Sequence, residues 1–559
     1  MAKTKGLVAM QDVSAKSASW WLAEGGGGCI WSAAGIRVAL GDLSREVIIV
    51  RDETGRCGIA RGGRVIGNTE QPQVDCLAVI GVLAPLEPWR LGHPAFRNTF
   101  GVRYAYMTGA MANGIASVEL VQAASQAGFL GSFGAAGLSL ERIEAAVERL
   151  QREERPFCVN LIHSPQEPAW EWGVAELLVR RGVRCVEASA FLELTPAIVW
   201  YAAKGNGQHR VIAKVSREEV ARQFLSPPPD GILGELVSSG RLSEAEAQQA
   251  ARRPVATAIT VEADSGGHTD NRPALALFPV IAKLADQQQR QQRYPERVLV
   301  GLGGGIATPE AVAAAWAMGA DYVVTGSVNQ ACVEAGTSEA VRTMLAQAGI
   351  ADMTMAPAAD MFEMGVKVQV LKRGTLFAMR AQRLYELYRN YDSWDNIPAS
   401  ERHWVEQTCF RQSFAAVWQE VEAYWQRRDP EQLVRAQREP KHRLALAFRW
   451  YLGMSSRWAN RGERGRELDY QVWCGPGLGA FNCWVRGTAL AAPAARTVAA
   501  VGWNLLYGSC IMLRRLQLRL WGIPWSDECF PRGPWPVEQL QRWFDTPERV
   551  YKCEEPALQ

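Results

Sequence analysis

The chain has 559 residues, of which 61 are basic and 58 acidic, and 48% are hydrophobic. This length predicts about three domains with sizeable cores, and the net charge of +3 is too small to favour a nucleic-acid or membrane-surface partner. The N-terminal apolar run is broken by Gln11 and Asp12, and no apolar run reaches about 18 residues, so we expect a cytoplasmic protein without a membrane span. Twelve cysteines without a C-x-x-C pair predict reduced thiols and no metal site.

The N-terminal part has a composition of its own. Residues 1–19 are predicted to be an extension, and residues 20–100 a small N-terminal α/β cap with its connector. Within the cap, "SREVIIVRDETGRCGIA" places two strand-like apolar runs on either side of a Thr-Gly turn.

From residue 101 to residue 339, short apolar runs alternate with helix-like segments. Eight such runs begin near residues 103, 129, 157, 184, 210, 258, 297 and 321. The helix before the last run opens with Thr308 as N-cap and Pro309 at its first position. Eight β/α units in this length favour a TIM (β/α)8 barrel over an open, doubly wound sheet.

Two further segments are predicted to be helical. Residues 216–254 form an overlong unit after the fifth strand, and we expect a lid at the carboxyl face of the barrel, with a decorative insertion as the alternative. Residues 340–515 are dense in aromatic side chains and predict a C-terminal helical domain. Residues 516–559 form a Trp- and Pro-rich tail.

Functional residues of this fold lie where the barrel strands end, so the candidate site is sought there. Small residues after the first strand would let a flat ligand approach the backbone, and polar side chains end the third, fifth and sixth strands. These candidates are Ala110, Met111, Ala112, Asn160, Lys214, Glu262, Gly266, Gly267 and His268.

The ends of the seventh and eighth strands are rich in glycine. The phosphate site of a TIM barrel is usually built from these two loops and a helix N-terminus, where backbone N–H groups and the helix dipole attract an anion. Tight turns alone could also explain either loop, but both loops together favour a phosphate. The candidates are Gly303, Gly304, Gly305, Thr325, Gly326 and Ser327.

Two side chains have both a functional and a structural interpretation. Lys214 could contact a phosphate or a flavin ring, or it could form an ion pair with Glu187 or Glu262. His268 could hydrogen-bond a substrate carbonyl or donate a proton, because histidine titrates near neutral pH; it could also be a satisfied structural histidine.

No lysine follows the glycines as in a P-loop, and "GLGGGIA" lacks the third glycine of a Rossmann fingerprint.

Several long motifs carry a family resemblance. They include "YAYMTGAMANGIAS", "ITVEADSGGHTDNRP", "GLGGGIATPEA", "YVVTGSVNQACVEAGTSE" and "WCGPGLGAFNCWVRG". Over about residues 20–515 the chain closely resembles the PfaD family, the trans-acting flavin-dependent enoyl reductases of polyunsaturated fatty acid and trans-acyltransferase polyketide synthases. More distantly it resembles nitronate monooxygenases, whose Gly-Gly-His segment Gly266-Gly267-His268 matches, although Asp264-Ser265 here replaces the usual Glu-Ala.

The resemblance implies FMN, with its phosphate on the loops after strands seven and eight, and His268 beside the ring as the catalytic residue. It implies NADPH as reductant, an enoyl thioester on an acyl carrier protein as substrate, and a homodimer. A nitronate monooxygenase that passes electrons to oxygen is the alternative enzyme, and a non-catalytic scaffold for carrier proteins is the third hypothesis. A basic docking face is expected for an acidic carrier, and the candidates are Arg449, Arg457, Arg461, Arg464 and Arg466, unless they form a solvated face or internal ion pairs.

Overall fold

The computed structural model describes residues 19–67, 76–165 and 167–544, which form two compact units. One unit contains the described residues up to Glu87 together with Cys510–Arg532. The other contains Pro88–Ser509 together with the described residues from Gly533 onward. Residues 1–18 of the predicted extension and residues 545–559 of the predicted tail lie outside the described residues.

The first unit is built on a six-stranded antiparallel sheet with the helix Ala33–Gly41. The predicted pair of strands around the Thr-Gly turn is confirmed, because Val47–Arg51 and Cys57–Arg61 pair antiparallel. Leu518 and Phe530 join the apolar core of this unit, so part of the predicted helical domain and tail belongs to it. Its six strands are Ser19–Leu22, Gly28–Ile30, Val47–Arg51, Cys57–Arg61, Arg64–Gly67 and Leu77–Leu83.

The second unit contains a closed barrel of eight parallel strands, which confirms the predicted TIM barrel. All eight predicted apolar runs supply a barrel strand. The strands, in chain order, are Tyr106–Thr108, Leu130–Phe133, Phe157–Ile162, Cys185–Ser189, Arg210–Val215, Ala258–Glu262, Leu299–Gly303 and Val323–Thr325.

Helices alternate with these strands, as the sequence predicts. Thr308 caps its helix by accepting a hydrogen bond from the backbone N–H of Ala311 at 3.3 Å, and Pro309 occupies the first turn. The barrel helices are Val118–Gln126, Leu140–Gln151, Pro168–Arg180, Pro196–Ala203, Glu218–Leu225, Ala274–Gln292, Pro309–Ala317, Ser327–Gln330 and Glu339–Ala346.

The amino-terminal end of the barrel is filled with side chains. Phe96 and Phe100, from the helix Pro94–Phe100, pack with the first residues of several strands, among them Leu130 and Ala258. Apolar packing therefore fills the interior of the barrel at this end.

Residues 216–254 are helical, as predicted, but the contacts of their later helices favour the decorative insertion over the lid. After Glu218–Leu225, the helices Asp230–Ser238 and Glu244–Ala250 pack on Pro196–Ala203. Lys204, just before the fifth strand begins, forms an ion pair with Glu246 at 3.0 Å. These contacts place both helices beside the amino-terminal side of the barrel, because each barrel helix runs back towards the start of the next strand.

Residues 340–509 are mainly helical, as the sequence predicts, and they belong to the same compact unit as the barrel. They also contain two antiparallel strands, Met353–Pro357 and Lys367–Leu371. The second strand pairs with Gly267–His268, which follows the sixth barrel strand. The helices after the barrel are Phe377–Asn390, Ala399–Trp404, Phe414–Arg428, Glu431–Arg438, Pro440–Arg461, Gly477–Trp484, Val498–Leu520 and Val537–Phe544.

Among residues 19–67, 76–165 and 167–544, no helix combines the length and apolar character needed to cross a bilayer.

A buried charged cluster stabilises the region after the barrel. The fully buried carboxylate of Asp469 pairs with Arg380, with Arg466 at 3.1 Å and with Arg411 at 3.1 Å. It also accepts a hydrogen bond from the Tyr451 hydroxyl at 2.7 Å. Burial opposes the charge on Arg380, but Asp469 outweighs that effect and raises the pKa of the guanidinium.

We predict that Asp469→Ala lowers the free energy of unfolding by about 3–5 kcal/mol, because it leaves the buried Arg380 without its counter-charge. The control is Asp392→Ala, which removes an exposed partner of Lys441 and is expected to cost less than about 1 kcal/mol. Chemical denaturation followed by circular dichroism measures both. Equal, small losses for the two variants would contradict this account of the cluster.

Candidate active site

A cavity of about 470 Å³ opens at the carboxyl ends of the barrel strands. Every position proposed from the sequence lies on its wall, although what each binds remains a prediction. These are Ala110, Met111, Ala112, Asn160, Lys214, Glu262, Gly266, Gly267, His268, Gly303, Gly304, Gly305, Thr325, Gly326 and Ser327. The strand ends converge because parallel strands of a closed barrel all point to the same face.

An ion pair between neighbouring strands lies in the wall of this cavity. Lys214 Nζ lies 2.6 Å from Glu262 Oε1, and both side chains are largely buried. Burial disfavours the charge on Lys214, but Glu262 and Glu187 outweigh that effect and raise the pKa of the lysine. Of the interpretations left open by the sequence, the ion pair with Glu262 is therefore present, and it keeps a positive charge at the cavity wall.

Glu187 is a supporting residue at the end of the fourth strand. Its side chain is fully buried, and Oε2 accepts a hydrogen bond from the backbone N–H of Ala110 at 2.8 Å. Asn160 donates from Nδ2 to the Glu187 backbone oxygen and to Ser189 Oγ, both at 3.0 Å. These bonds fix the backbone after the first strand and the orientation of the Asn160 amide.

Two glycines after the seventh strand adopt a backbone conformation that other residues avoid. Gly304 has φ +88° and Gly305 has φ +72°, both in the left-handed region. A Cβ on Gly304 would lie 2.6 Å from the carbonyl carbon of Ala263. This turn therefore requires glycine, and it leaves the wall at Gly303–Gly305 without side chains, so that a ligand can approach the main chain.

The loop after the eighth strand is held from two sides. The hydroxyl of Thr325 donates to Tyr106 Oη at 2.8 Å inside the barrel. Ser327, at the start of the helix Ser327–Gln330, accepts a hydrogen bond on Oγ from the backbone N–H of Gly475 at 3.0 Å. This bond ties the start of the helix to the segment that contains Gly475.

Gly266 lies on the cavity wall and also allows close packing. A Cβ at this position would lie 2.8 Å from the backbone atoms of Cys474, so the glycine permits two chain segments to approach each other closely. Gly475 has the same constraint from the opposite side, since its Cβ would lie 2.8 Å from Gly266 N. Gly267, with φ +81°, forms the turn that leads to His268.

His268 faces the cavity and is bound by a residue that the sequence did not indicate. Its Nε2 lies 3.1 Å from Oδ1 of Asp360, which precedes the strand Lys367–Leu371. Burial disfavours the imidazolium, but Asp360 and then Glu262 outweigh burial and the opposing charge of Lys214, so the pKa of His268 is raised. The side chain remains about one-third exposed, at 32%.

The acidic residues around His268 shape the loop. Asp264 accepts hydrogen bonds from Asn271 Nδ2 at 2.8 Å and from Gln369 Nε2 at 2.7 Å. Asp270 pairs with Arg217 at 2.8 Å, which lowers the pKa of this carboxyl to about 2. The main-chain oxygen of Arg272 accepts a bond from the Asp264 N–H.

Reasoning from strand ends missed the residues that the region after the barrel contributes to the cavity wall. Two sequence signals could have indicated them: the alternating run "VKVQVL", typical of a strand, and the glycine-rich "CGPGLG". The residues are Met361, Met364, Val366, Lys367, Trp473, Gly475, Gly477 and Leu478. Among the described residues, no group of three or more His, Cys, Asp or Glu side chains is arranged to hold a metal ion.

Comparisons with known proteins agree with this architecture. The family model described as nitronate monooxygenase matches residues 97–384, and a model described as the inserted helical domain of [acyl-carrier-protein] S-malonyltransferase matches residues 391–470. The enoyl reductase domain of MlnA, from the macrolactin biosynthesis cluster of Bacillus amyloliquefaciens, superposes with a TM-score of 0.72 at 36% identity. The alignment covers 77% of this chain and 99% of that domain.

Curated relatives come from synthases of two kinds. One component of the polyunsaturated fatty acid synthase of Thraustochytrium sp. is 46% identical over 456 residues, which cover 78% of this chain and 30% of the relative. The polyketide biosynthesis protein PksE of Bacillus subtilis is 42% identical over 440 residues, which cover 76% of this chain and 57% of the relative. The chain thus spans less than two-thirds of the length of these two relatives.

A closed (β/α)8 barrel with glycine loops and a histidine at its mouth defines an oxidoreductase of the nitronate monooxygenase-like class. Within that class, the chain belongs to the PfaD-like enoyl reductases of polyunsaturated fatty acid and polyketide synthases. The resemblance stated from the sequence motifs is therefore confirmed.

We predict that Gly266→Ala disrupts the site by forcing the loop of His268 away from Cys474. Overpacking of this kind lowers the free energy of unfolding by about 1–3 kcal/mol. The variant should therefore be less stable than the wild type. The control is Gly231→Ala in the helix Asp230–Ser238, where a Cβ meets nothing within 4 Å. Thermal unfolding compares the two variants, and a Gly266→Ala protein as stable as the control would contradict the packing argument.

Proposed function

We propose that this protein is a trans-acting, FMN-dependent enoyl reductase that uses NADPH to reduce the α,β-double bond of enoyl thioesters carried on acyl carrier protein. The observation that carries the proposal is the convergence of both glycine loops, Lys214 and His268 on one cavity. The similarity to an enoyl reductase domain and to components of fatty acid and polyketide synthases supports the same reaction. A cytoplasmic location and a homodimer stay predictions.

The residues present fit FMN. The wall around Gly303–Gly305 and Gly326 carries no side chains, and the short helix beginning at Ser327 directs backbone N–H groups towards the same region. A phosphate would be held there. Small residues at Ala110 and Ala112 leave room for a flat ring, and Lys214 supplies a positive charge that would favour an electron-rich ring.

The chemistry supplied by bound FMN is hydride transfer from NADPH to the β-carbon of the double bond. The protein must then hold the thioester and provide a proton at the α-carbon. His268 can perform the second task, because it faces the cavity and its pKa is raised, which favours the proton-bearing form. Glu262 pairs with Lys214 and so prevents this lysine from moving freely in the cavity.

Oxidation of a nitronate by oxygen is the second candidate, because the matching family model carries that description.

We predict that the purified protein shows flavin absorbance, that NADPH bleaches it without oxygen, and that an enoyl-carrier thioester restores it. NADPH consumption should depend on the thioester. Turnover with a nitronate and oxygen but not with any enoyl thioester would support the second candidate instead, and failure to bind FMN would support the non-catalytic scaffold.

His268→Ala in the same assay separates cofactor binding from proton transfer. The variant is expected to keep its FMN and its reduction by NADPH, while reoxidation by the thioester slows by about 10²-fold or more. Full activity of the variant would remove His268 from the mechanism.

We propose further that the carrier docks on exposed arginines in and after the helix Pro440–Arg461. Arg457, Arg461 and Arg464 are exposed. Arg449 and Arg466 do not belong to this face: the first pairs with Glu363 at 3.2 Å, and the second pairs with Asp469 and lies over the ring of Trp458. The family model for the inserted helical domain of [acyl-carrier-protein] S-malonyltransferase matches residues 391–470, which include these arginines. This match supports a role in carrier binding.

We predict that reversing the charges of Arg461 and Arg464 to Glu raises the KM for a carrier-bound enoyl substrate about 10-fold, which corresponds to about 1.4 kcal/mol. The KM for a small thioester analogue should stay unchanged, because the analogue does not need the surface. Arg152→Glu with Arg155→Glu is the matched control, since both arginines are exposed just before the third barrel strand. Equal effects on both substrates would contradict the docking site.

A further inference from the structure

The bond between His268 and Asp360 joins two distant parts of the chain. His268 lies at the barrel mouth, and Asp360 lies in the connection between the strands Met353–Pro357 and Lys367–Leu371. His268 lines the cavity, whereas the described cavity wall does not include Asp360. The contact of Asp360 with the cavity therefore runs through the imidazole ring of His268.

The fold holds this pair in place by bonds on both sides. Gly267 and His268 pair with Gln369 and Val368 of the strand Lys367–Leu371. The carboxylate of Asp360 accepts a bond from the backbone N–H of Met361 at 3.1 Å. The backbone N–H of Ala358 donates to the Val366 oxygen at 2.9 Å, which closes the connecting segment. The 3.1 Å approach of the two side chains thus follows from backbone pairing.

The carboxylate determines which ring nitrogen exchanges a proton with the cavity. An ionised carboxylate only accepts hydrogen bonds, so Nε2 of His268 must carry a hydrogen to make this contact. In the neutral ring Nδ1 then has a lone pair and no proton to give. Only the imidazolium can donate from Nδ1, and the charge of Asp360 stabilises that form.

Other charges near the ring oppose one another. Asp360 and Glu262 favour the imidazolium of His268, while Lys214 and burial disfavour it. Lys214 and Glu262 form a contact of 2.6 Å, so their effects on the ring largely cancel. Asp360 remains as the direct partner of the ring. Burial opposes its ionisation, but the charge of His268, with a smaller effect of Arg449, outweighs burial and lowers the pKa of the carboxyl.

We propose that Asp360 is a positioning residue, which fixes the ring of His268 and keeps Nε2 protonated so that Nδ1 delivers the proton to the α-carbon of the substrate. This inference rests on the proposed enoyl reduction. NADPH supplies the hydride that reaches the β-carbon and leaves as NADP⁺, and the Nδ1–H bond breaks as the new C–H bond forms at the α-carbon. Neutral His268 then regains its proton from solvent.

The sign of the pH dependence follows from the raised pKa of His268. The acid form exists below this pKa, so the rate of the proton-dependent step falls as the pH rises through it. Removing the charge of Asp360 lowers the pKa of the ring. The rate should then begin to fall at a lower pH, while a sufficiently acidic solution should still protonate the ring.

The test is Asp360→Asn in the FMN-loaded enzyme, with reoxidation by an enoyl thioester followed across pH. At about pH 8.5 we expect a loss on the order of 10-fold relative to the wild type, and at about pH 6 agreement within about 2-fold. Reduction by NADPH should be unchanged. Asp360→Glu, which restores the charge, should recover much of the rate at high pH.

The matched control is Asp395→Asn in the region after the barrel, where the exposed carboxylate lies 3.8 Å from Arg402 and not beside His268. It should leave the pH profile unchanged. A second measurement is nuclear magnetic resonance titration of ¹³C-histidine, which is practical because the chain has 6 histidines. We expect the His268 signal to titrate at lower pH in Asp360→Asn than in the wild type.

An unchanged His268 titration in Asp360→Asn would overturn the proposal, as would an equal loss of rate at every pH. If the wild type reduces no enoyl thioester, the proposed function is wrong. The proposed route of the proton to the α-carbon is then wrong as well. The titration would in that case still decide whether Asp360 sets the protonation of His268.

Discussion

The short antiparallel ladder between Gly267–His268 and the strand Lys367–Leu371 fixes the chemistry at the barrel mouth. A loop at the end of a barrel strand has no partner of its own, and a histidine on such a loop could take many orientations. Here backbone hydrogen bonds order the loop and bring Asp360 within 3.1 Å of the ring. The barrel supplies the cavity floor, and the region after the barrel supplies the partner that orients the histidine.

This constraint explains why the chain after the barrel cannot be a detachable module. Gly266 and Gly475 approach each other so closely that neither tolerates a Cβ, and Ser327 accepts a bond from Gly475. The loops predicted to hold a phosphate are thus braced by a segment about 150 residues further on. The same segment contributes Trp473 and Leu478 to the cavity wall, so the later region shapes the space that a substrate would occupy.

Charge pairing recurs in the second unit. Lys214 pairs with Glu262 in the cavity wall, and Asp469 pairs with three arginines. The two sites differ in exposure. Asp469 is fully buried and its pairing stabilises the fold, whereas His268 keeps one-third of its side chain exposed, which a group that exchanges protons with a ligand requires.

The barrel was predictable because its signal is local. Each apolar run and the helix after it can be recognised within about 30 residues, and the end of each strand then identifies a candidate side chain. The same locality explains the errors. Residues 216–254 are correctly helical, but whether they cover the mouth depends on which helix they pack against, and sequence position does not determine that. The sequence shows that residue 266 is a glycine, but the contact with Cys474 that requires a glycine there involves a residue far along the chain.

By itself, the sequence determined the fold class, the family and the residues that the barrel strands contribute to the cavity wall, because strand periodicity, strand ends and long motifs are properties of neighbouring residues. Only the tertiary structure decided which partner each of these residues has. Lys214 pairs with Glu262, and His268 pairs with Asp360. A hydrogen bond depends on distances of about 3 Å between atoms that can be a hundred residues apart, and only the folded chain sets such distances.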